Sequence, residues 1–348
     1  MLWAAIPYGL AMRFRARCYG WGWLTQRRLP VPVVSVGNLT IGGTGKTPIV
    51  IMIADWLLQQ GQRVAILSRG YRRTSTDACL LVSDGKRVMS GPAEAGDEPF
   101  LIAQRCPKAI VAVGADRYAL GRWVLEQFPV DCFLLDDGFQ HLGLHRDENL
   151  LLLDATDAQG LQAIVPAGRL REPLTAAVRA SAILITRANS PAQVERVLHV
   201  LRSAQPRLPE VFRVTFEPER VISVATQESR GHHWCAGKNA ILCSAIGHVG
   251  SFRSTAEELK LHVLDEVTFE DHHRYTGQDV DALRLKAKIA QADIVLTTEK
   301  DAAKLTSWLT PADPWWAVRL STRVNEGEER LREHITDRMK SGRTEVCA

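Results

Sequence analysis

Gly42-Gly43-Thr44-Gly45-Lys46-Thr47 brings together a free backbone, a cation and a hydroxyl within six residues. That combination suits a phosphate chain. Consecutive backbone N–H groups wrap the anion, a helix N-terminus adds its positive end, and a lysine reaches the outer phosphates. The flanking sequence has the order such a loop needs. Val31, Val33, Val34 and Val36 read as a buried strand before it, and Ile49, Ile53, Trp56 and Leu57 follow at helical spacing. Thr40 and Ile41 complete the octet, and Thr40 stands where the usual pattern has Ala or Gly. An ordinary glycine turn between strand and helix is the plain alternative.

A second apolar run, Cys132-Phe133-Leu134-Leu135, ends in Asp136-Asp137-Gly138. An apolar strand ending in aspartate is the other half of a nucleoside triphosphate site, its carboxylate holding magnesium opposite the Thr47 hydroxyl. The same three residues also make a good turn. Asp97, in Gly96-Asp97-Glu98-Pro99, precedes a short apolar helix. It reads either as that helix's N-cap or as a general base taking a proton from an acceptor hydroxyl. In Phe269-Glu270-Asp271-His272-His273-Arg274-Tyr275 the adjacent histidines cannot share a face, so one histidine paired with a carboxylate fits better than a chelating pair. His141 and His145 have i,i+4 spacing, yet no cysteine lies near them to suggest zinc. Arginines gather in Ser68-Arg69-Gly70-Tyr71-Arg72-Arg73, at Arg117, and at Arg169 and Arg171; planar guanidinium groups hold anions bidentately, although any one arginine can be plain surface charge. Thr297-Thr298-Glu299-Lys300-Asp301 reads as a helix cap or as a segment that closes over a nucleotide.

These motifs need a scaffold that brings strand ends together. Apolar runs at 31–36, 64–68, 109–113, 132–136, 150–154, 182–186 and 211–216 alternate with helical patterns. They predict an α/β fold with a P-loop NTPase-like parallel sheet core and helices on both faces. The pattern then restarts, with strands at 240–245, 262–267 and 294–297 and helices near 254–260 and 279–291, as a smaller second α/β domain. The expected division is a basic aromatic segment over 1–24, a kinase core over 25–216, and the smaller domain over 217–348 with linker strands at 212–224 and 315–324. A final helix over 326–340 is expected to return to the core.

The 348 residues carry 43 Lys and Arg against 39 Asp and Glu, a net charge of +4 that is unevenly spread. No acid precedes Asp55, and the first 54 residues hold Arg13, Arg15, Arg17, Arg27, Arg28 and Lys46. With Trp3, Tyr8, Phe14, Tyr19, Trp21 and Trp23 mixed among them, this end suits an anionic membrane surface; a helix packed on its own domain and a nucleic-acid arm are the alternatives. Its apolar run from Leu2 to Met12 is 11 residues, and a span takes about 20. The seven scattered cysteines contain no CxxC pair, which argues against a disulfide framework and structural zinc.

Taken in order, VPVVSVGNLTIGGTGKTP, SRGYRR, GDEP, VGADR, LLDDGFQH, VPAGRLREP, FEDHHRY and LTTEKDAAK resemble the tetraacyldisaccharide 4′-kinases of lipid A biosynthesis over nearly the whole chain. That family tolerates Thr40. Ile246-Gly247-His248-Val249 is similar to a family turn that often carries a proline. The resemblance implies transfer of the ATP γ-phosphate to the 4′-hydroxyl of an acylated glucosamine disaccharide phosphate, with Mg2+. It also implies a peripheral location on the cytoplasmic face of the inner membrane. Carried over by position, Asp97, His272 and Lys46 form the catalytic set, with Asp97 as base and His272 as its partner. The loop from Thr40 to Thr47, supported by Asn38 and joined by His141 and Glu299, takes the nucleotide. Thr47, Asp136 and Asp137 organise the metal. Tyr71, Arg117 and Arg171 take the lipid phosphate and sugar. The competing class is a P-loop switch or metallochaperone NTPase acting on a protein; no obligate protein partner and no nucleic acid is inferred.

Overall fold

Apolar β-branched runs become strands because their side chains fill both faces of a covered sheet. A computed structural model describes residues 2–247 and 249–347, so His248 of the Ile246-Gly247-His248-Val249 turn lies outside the described residues. The strands are β1 (Val33–Asn38), β2 (Val64–Ser68), β3 (Leu80–Asp84), β4 (Ile110–Val113), β5 (Cys132–Asp136), β6 (Glu148–Asp154), β7 (Ala182–Thr186), β8 (Glu210–Ser223), β9 (Ser229–Gly231), β10 (Asn239–Ser244), β11 (His262–Thr268), β12 (Ile294–Thr298) and β13 (Trp315–Val324). The helices are α1 (Leu2–Gly20), α2 (Lys46–Gln59), α3 (Pro92–Ala95), α4 (Asp97–Arg105), α5 (Arg117–Leu125), α6 (Pro191–Ala204), α7 (Val249–Glu258), α8 (Gly277–Ile289), α9 (Glu299–Leu305) and α10 (Glu328–Cys347).

One hydrogen-bonded path runs β11-β10-β12-β13-β8-β7-β6-β1-β5-β2-β4-β3, with β9 on β8. The fold is α/β and mostly parallel. Antiparallel pairing occurs between β3 and β4, between β8 and β9, and at the β8–β13 seam. The seam reverses strand direction between the two halves. A bulge sits in it: Arg319 faces Arg220 and Leu320 faces Pro218, which leaves Glu219 unpaired. A bulge bends its strand and adds twist, and proline is tolerated there because it has no ladder donor to lose. Two strands escape the sequence reading. β3 is a half-buried edge strand and β9 is a fully exposed stub.

Helix α2 is buried along almost its whole length, through Ile49, Ile53, Trp56 and Leu57 among others. It shares its core with Leu331, Ile335 and Met339, which recur on one stripe of α10. Arg332 of α10 lies over the Trp56 ring at 4.6 Å. On another face of α10, His334 Nε2 stands 3.2 Å from Oε1 of the fully buried Glu148 at the start of β6, which also accepts from Ser181 Oγ at 2.5 Å. The Glu148 carboxylate holds His334 above the usual histidine range, against a smaller opposing effect of burial.

A raised folded-state value means that the pair's stabilisation is complete below the unfolded histidine pKa of about 6.5 and fades as pH rises through the folded value. His334→Gln is therefore expected to lower the thermal midpoint by roughly 2–4 °C near pH 6, with the gap to wild type closing at alkaline pH. Paired melts across that range check it; a gap that does not change with pH contradicts the assignment.

Candidate functional site

Parallel strands deliver their carboxyl ends to one edge, where ligands bind in open α/β sheets. Asn38, Ser68, Asp136, Asp154 and Thr186 each end a strand of the first half. From β1 the chain turns through the glycine loop into α2. Gly45 has φ +80°, and a Cβ there would lie 2.4 Å from Cζ of Phe216, so only glycine fits. No side chain caps α2.

The carbonyls of this loop are held from outside it. Asn38 Nδ2 donates to Thr40 O at 2.9 Å, Arg169 Nη2 to Ile41 O at 2.8 Å, Arg187 Nη1 to Gly43 O at 3.1 Å and Thr186 Oγ1 to Thr44 O at 2.9 Å. In a planar trans peptide the next N–H points the opposite way. The N–H groups of Gly42, Thr44 and Gly45 thus face away from those donors, as an anion cradle requires. Arg187 is itself anchored by an ion pair with Asp154. Lys46 Nζ lies 3.4 Å from Asn38 Oδ1 and 3.7 Å from Asp137 Oδ1.

Two adjacent aspartates end β5 in different electrostatic states. Asp136 is buried and accepts from Ser68 Oγ at 2.8 Å, while its Oδ1 has no partner among the described residues. Burial, with Glu98 and Asp137 nearby, pushes Asp136 up to about 7. Asp137 has the uncommon φ of +54°. Burial would raise it too, but Lys46, Arg171 and Arg117 together hold it below the ordinary carboxylate range. Arg171 Nη1 donates to Asp137 Oδ2 at 2.8 Å. The Thr44 hydroxyl is a further buried atom without a partner among the described residues. An orphaned carboxylate oxygen in a dry, acid-rich corner fits a divalent cation. No three His, Cys, Asp or Glu side chains converge as a metal site among the described residues, and Mg2+ commonly takes one or two carboxylates plus phosphate and water.

The second half meets the loop from across a cleft of about 1150 Å3. A Cβ on Gly247 would lie 3.8 Å from Gly43 N. His272 Nδ1 lies 3.0 Å from Asp97 Oδ2, joining residues 175 apart in sequence. His272 has φ +65°, rare for a side chain of this size, and its ring tilts against Tyr71 at 5.3 Å. Burial would raise the Asp97 pKa, but His272, Lys304 and Lys300 outweigh it and keep the carboxylate below its usual range. Asp97 is not the N-cap of α4. Gly96 holds that position with φ +96°, where a Cβ would meet Tyr71 O at 3.1 Å, and Asp97 begins the helix itself.

Lys46, Thr47, Ile41 to Gly45, Asp136, Asp137, His141, Tyr71, Arg117, Arg171, His272 and Glu299 all line the one cleft. Asn38 and Thr40 are buried behind the loop, and Asp97 connects to the cleft through His272. Arg117 is buried, donates to the carbonyls of Gly114 and Ala115, and is depressed to about 10 by that burial. Burial and Arg117 push His141 down to about 4, so it is neutral at physiological pH. His141 and His145 occupy a turn-rich loop and not a helix, and His145 turns away to Arg28 at 2.9 Å. His273 likewise turns from His272, reaching Asp279 at 3.1 Å. Glu299 bridges Arg105 at 2.6 Å and Arg319 at 2.8 Å, tying α4 to α9 and β13. Reading the sequence missed Glu98, Arg187 and Lys304; only the LTTEKDAAK patch held a hint, with two lysines one helical turn apart.

Residues 1–340 match the family described as Tetraacyldisaccharide-1-P 4'-kinase. The tetraacyldisaccharide 4'-kinase of Geobacter metallireducens is 40% identical over 309 residues, covering 86% of each chain. That of Geobacter sulfurreducens is 38% identical over 325 residues, covering 92% of this chain and 88% of its own length. The crystal structure of LpxK from Aquifex aeolicus in complex with ATP aligns with a TM-score of 0.76 at 32% identity, over 97% of this chain and 98% of that one.

Proposed function

The chain belongs to the tetraacyldisaccharide-1-P 4'-kinase family, and from that premise we propose which of its residues carry the reaction. It is an ATP-dependent kinase of lipid A biosynthesis that transfers the γ-phosphate to the 4′-hydroxyl of tetraacyldisaccharide 1-phosphate. Its relatives support that activity and not a protein-directed NTPase switch.

The observation that carries the residue assignment is the Asp97–His272 contact, made across the same cleft that the glycine loop opens into. In this reading the loop amides from Gly42 to Gly45 and Lys46 hold the triphosphate, while the Ile41 N–H is taken by Arg169 O at 2.8 Å and Ile41 borders the site only by its side chain. Thr47, Asp136 and Asp137 hold Mg2+, which when bound offsets phosphate charge. Asp97, kept ionised by the His272 hydrogen bond and by Lys304 and Lys300, takes the proton of the 4′-hydroxyl through Oδ1, which accepts no hydrogen bond among the described residues. As that proton leaves, the 4′-oxygen bonds to the γ-phosphorus. The bond from the γ-phosphorus to its bridging oxygen breaks, and ADP departs with the electron pair. Tyr71, Arg117 and Arg171 order the sugar and lipid phosphate, while His141 and Glu299 bound the nucleotide.

Helix α1 presents two faces to this chemistry. Tyr8, Met12 and Arg15 line the cleft, and Tyr8 Oη donates to Arg171 O at 3.0 Å. Trp3, Ile6, Leu10 and Phe14, spaced three and four apart, form an exposed stripe, Trp3 being 90% exposed. Arg13 and Arg17 flank it. No described helix is long and apolar enough to cross a membrane. An apolar stripe edged with arginine suits the headgroup boundary of an anionic leaflet, where an acylated acceptor resides. The stripe supports a peripheral position at a membrane surface, and the cytoplasmic face of the inner membrane is our reading from the family's lipid A substrate.

Two outcomes are expected. Asp97→Ala lowers kcat by about 10²–10⁴-fold with ATP affinity, measured by calorimetry, close to wild type; a matching loss of ATP binding makes Asp97 structural. Replacing Trp3, Ile6, Leu10 and Phe14 with glutamine leaves the cleft face of α1 intact and is expected to abolish co-sedimentation with anionic vesicles. Undiminished sedimentation puts the membrane contact elsewhere.

A further inference from the structure

Helix α9 aims two ammonium groups at the Asp97–His272 pair, one at each member. Lys300 Nζ lies 3.3 Å from His272 Nε2 and 3.0 Å from Asp271 Oδ1. Lys304 Nζ lies 3.6 Å from Asp97 Oδ2 and 2.8 Å from the buried Asp301 Oδ1, and donates to His273 O at 3.1 Å. The two lysines are four apart on one face of the helix.

A protonated lysine has three donors and no lone pair. Burial disfavours the Lys300 charge, but Glu98, Asp271 and Asp97 outweigh it and keep the amine protonated. The contact at 3.3 Å then has one consistent form, in which His272 Nε2 accepts. The imidazole proton must sit on Nδ1, where it donates to Asp97 Oδ2 at 3.0 Å. The other tautomer fails at both ends, setting an N–H against an ammonium and a lone pair against a carboxylate. An imidazolium fails at the lysine end.

We propose that Lys300 is a positioning residue that locks His272 in its Nδ1–H tautomer, so that His272 serves only as a donor to Asp97. With Nε2 engaged, His272 has no lone pair for the proton of the acceptor hydroxyl, and that proton falls to Asp97. The remaining charged or polar groups against the ring are Asp271 in its own loop, 3.8 Å from Nε2, and Tyr71 after β2; one contact further out, Lys304 on α9 reaches Asp97, Glu98 on α4 contacts Lys300 at 3.8 Å, and Arg72 is tied to Asp271 O at 2.6 Å. None of these supplies a second donor to Nε2 at hydrogen-bond distance among the described residues. The lock rests on the reading of Asp97 as base, and the two can fail separately.

The test is nuclear magnetic resonance of the full chain labelled with 15N-histidine, with His272 assigned from the spectra of His272→Gln and His272→Asn. Wild type is expected to show a protonated Nδ1 and a bare Nε2. A protonated Nε2 overturns the lock, whatever becomes of Asp97. Lys300→Met is expected to shift the His272 pattern towards Nε2–H or imidazolium, and to lower kcat roughly tenfold at neutral pH, the scale of one charged hydrogen bond. The loss should be larger on the acid side of the pH profile, with KM for ATP near wild type. Lys300→Arg, which is again an obligate donor, restores both readouts. An unchanged His272 pattern and pH profile in Lys300→Met overturns the proposal. A fully active Asp97→Asn rejects the base assignment and leaves the tautomer result standing.

Discussion

A single hydrogen bond of 3.0 Å, between Asp97 on the first half of the sheet and His272 on the second, is the contact the remaining architecture serves. Neither residue is well placed without the other half. Asp97 opens α4 because Gly96 adopts a backbone that other residues rarely reach, and His272 sits in a left-handed conformation that needs its surroundings to hold it. The seam between β8 and β13 reverses strand direction and bends at Glu219, so that carboxyl edges pointing opposite ways line one cleft. Glu299, shared between Arg105 and Arg319, fastens α4 to α9 beside it.

The floor of the cleft presents a different problem, too much negative charge in a dry place. Asp136 and Asp137 stand side by side with Glu98 near them, and burial by itself raises both aspartates. The chain answers unequally. Lys46, Arg171 and Arg117 hold Asp137 below the ordinary carboxylate range, while burial keeps Asp136 above it with an unspent oxygen. Environments that drive neighbouring carboxyls apart mark divided roles. In this account the oxygen left over on Asp136 is spent on the cation that accompanies ATP.

The sheet was legible wherever a strand is buried on both faces, because continuous β-branched and aliphatic runs have no other comfortable home. β1, β2, β5, β6 and β7 are such runs. β3 lies at an edge with one wet face and carries little of that signal. The glycine turn between β1 and α2 was legible because its requirements are local, a glycine backbone and a lysine at fixed spacing. Arg187 and Lys304 were not, since a strand-end arginine becomes an anchor for Gly43 only through the fold, and a helical lysine finds Asp97 only across the cleft. Asp97 itself was ambiguous for a local reason: an acid ahead of an apolar helix is what an N-cap looks like, and only the glycine before it, with φ +96°, shows that the cap position is already taken.

The central claim is that Asp97 and His272 act as one unit, and a double-mutant cycle on kcat tests it directly. Asp97→Asn, His272→Gln and the combined variant are compared with wild type at saturating ATP. Residues working as a unit are strongly non-additive, so the account predicts a double variant no slower than the worse single one. Losses that multiply, as for independent residues, would contradict it.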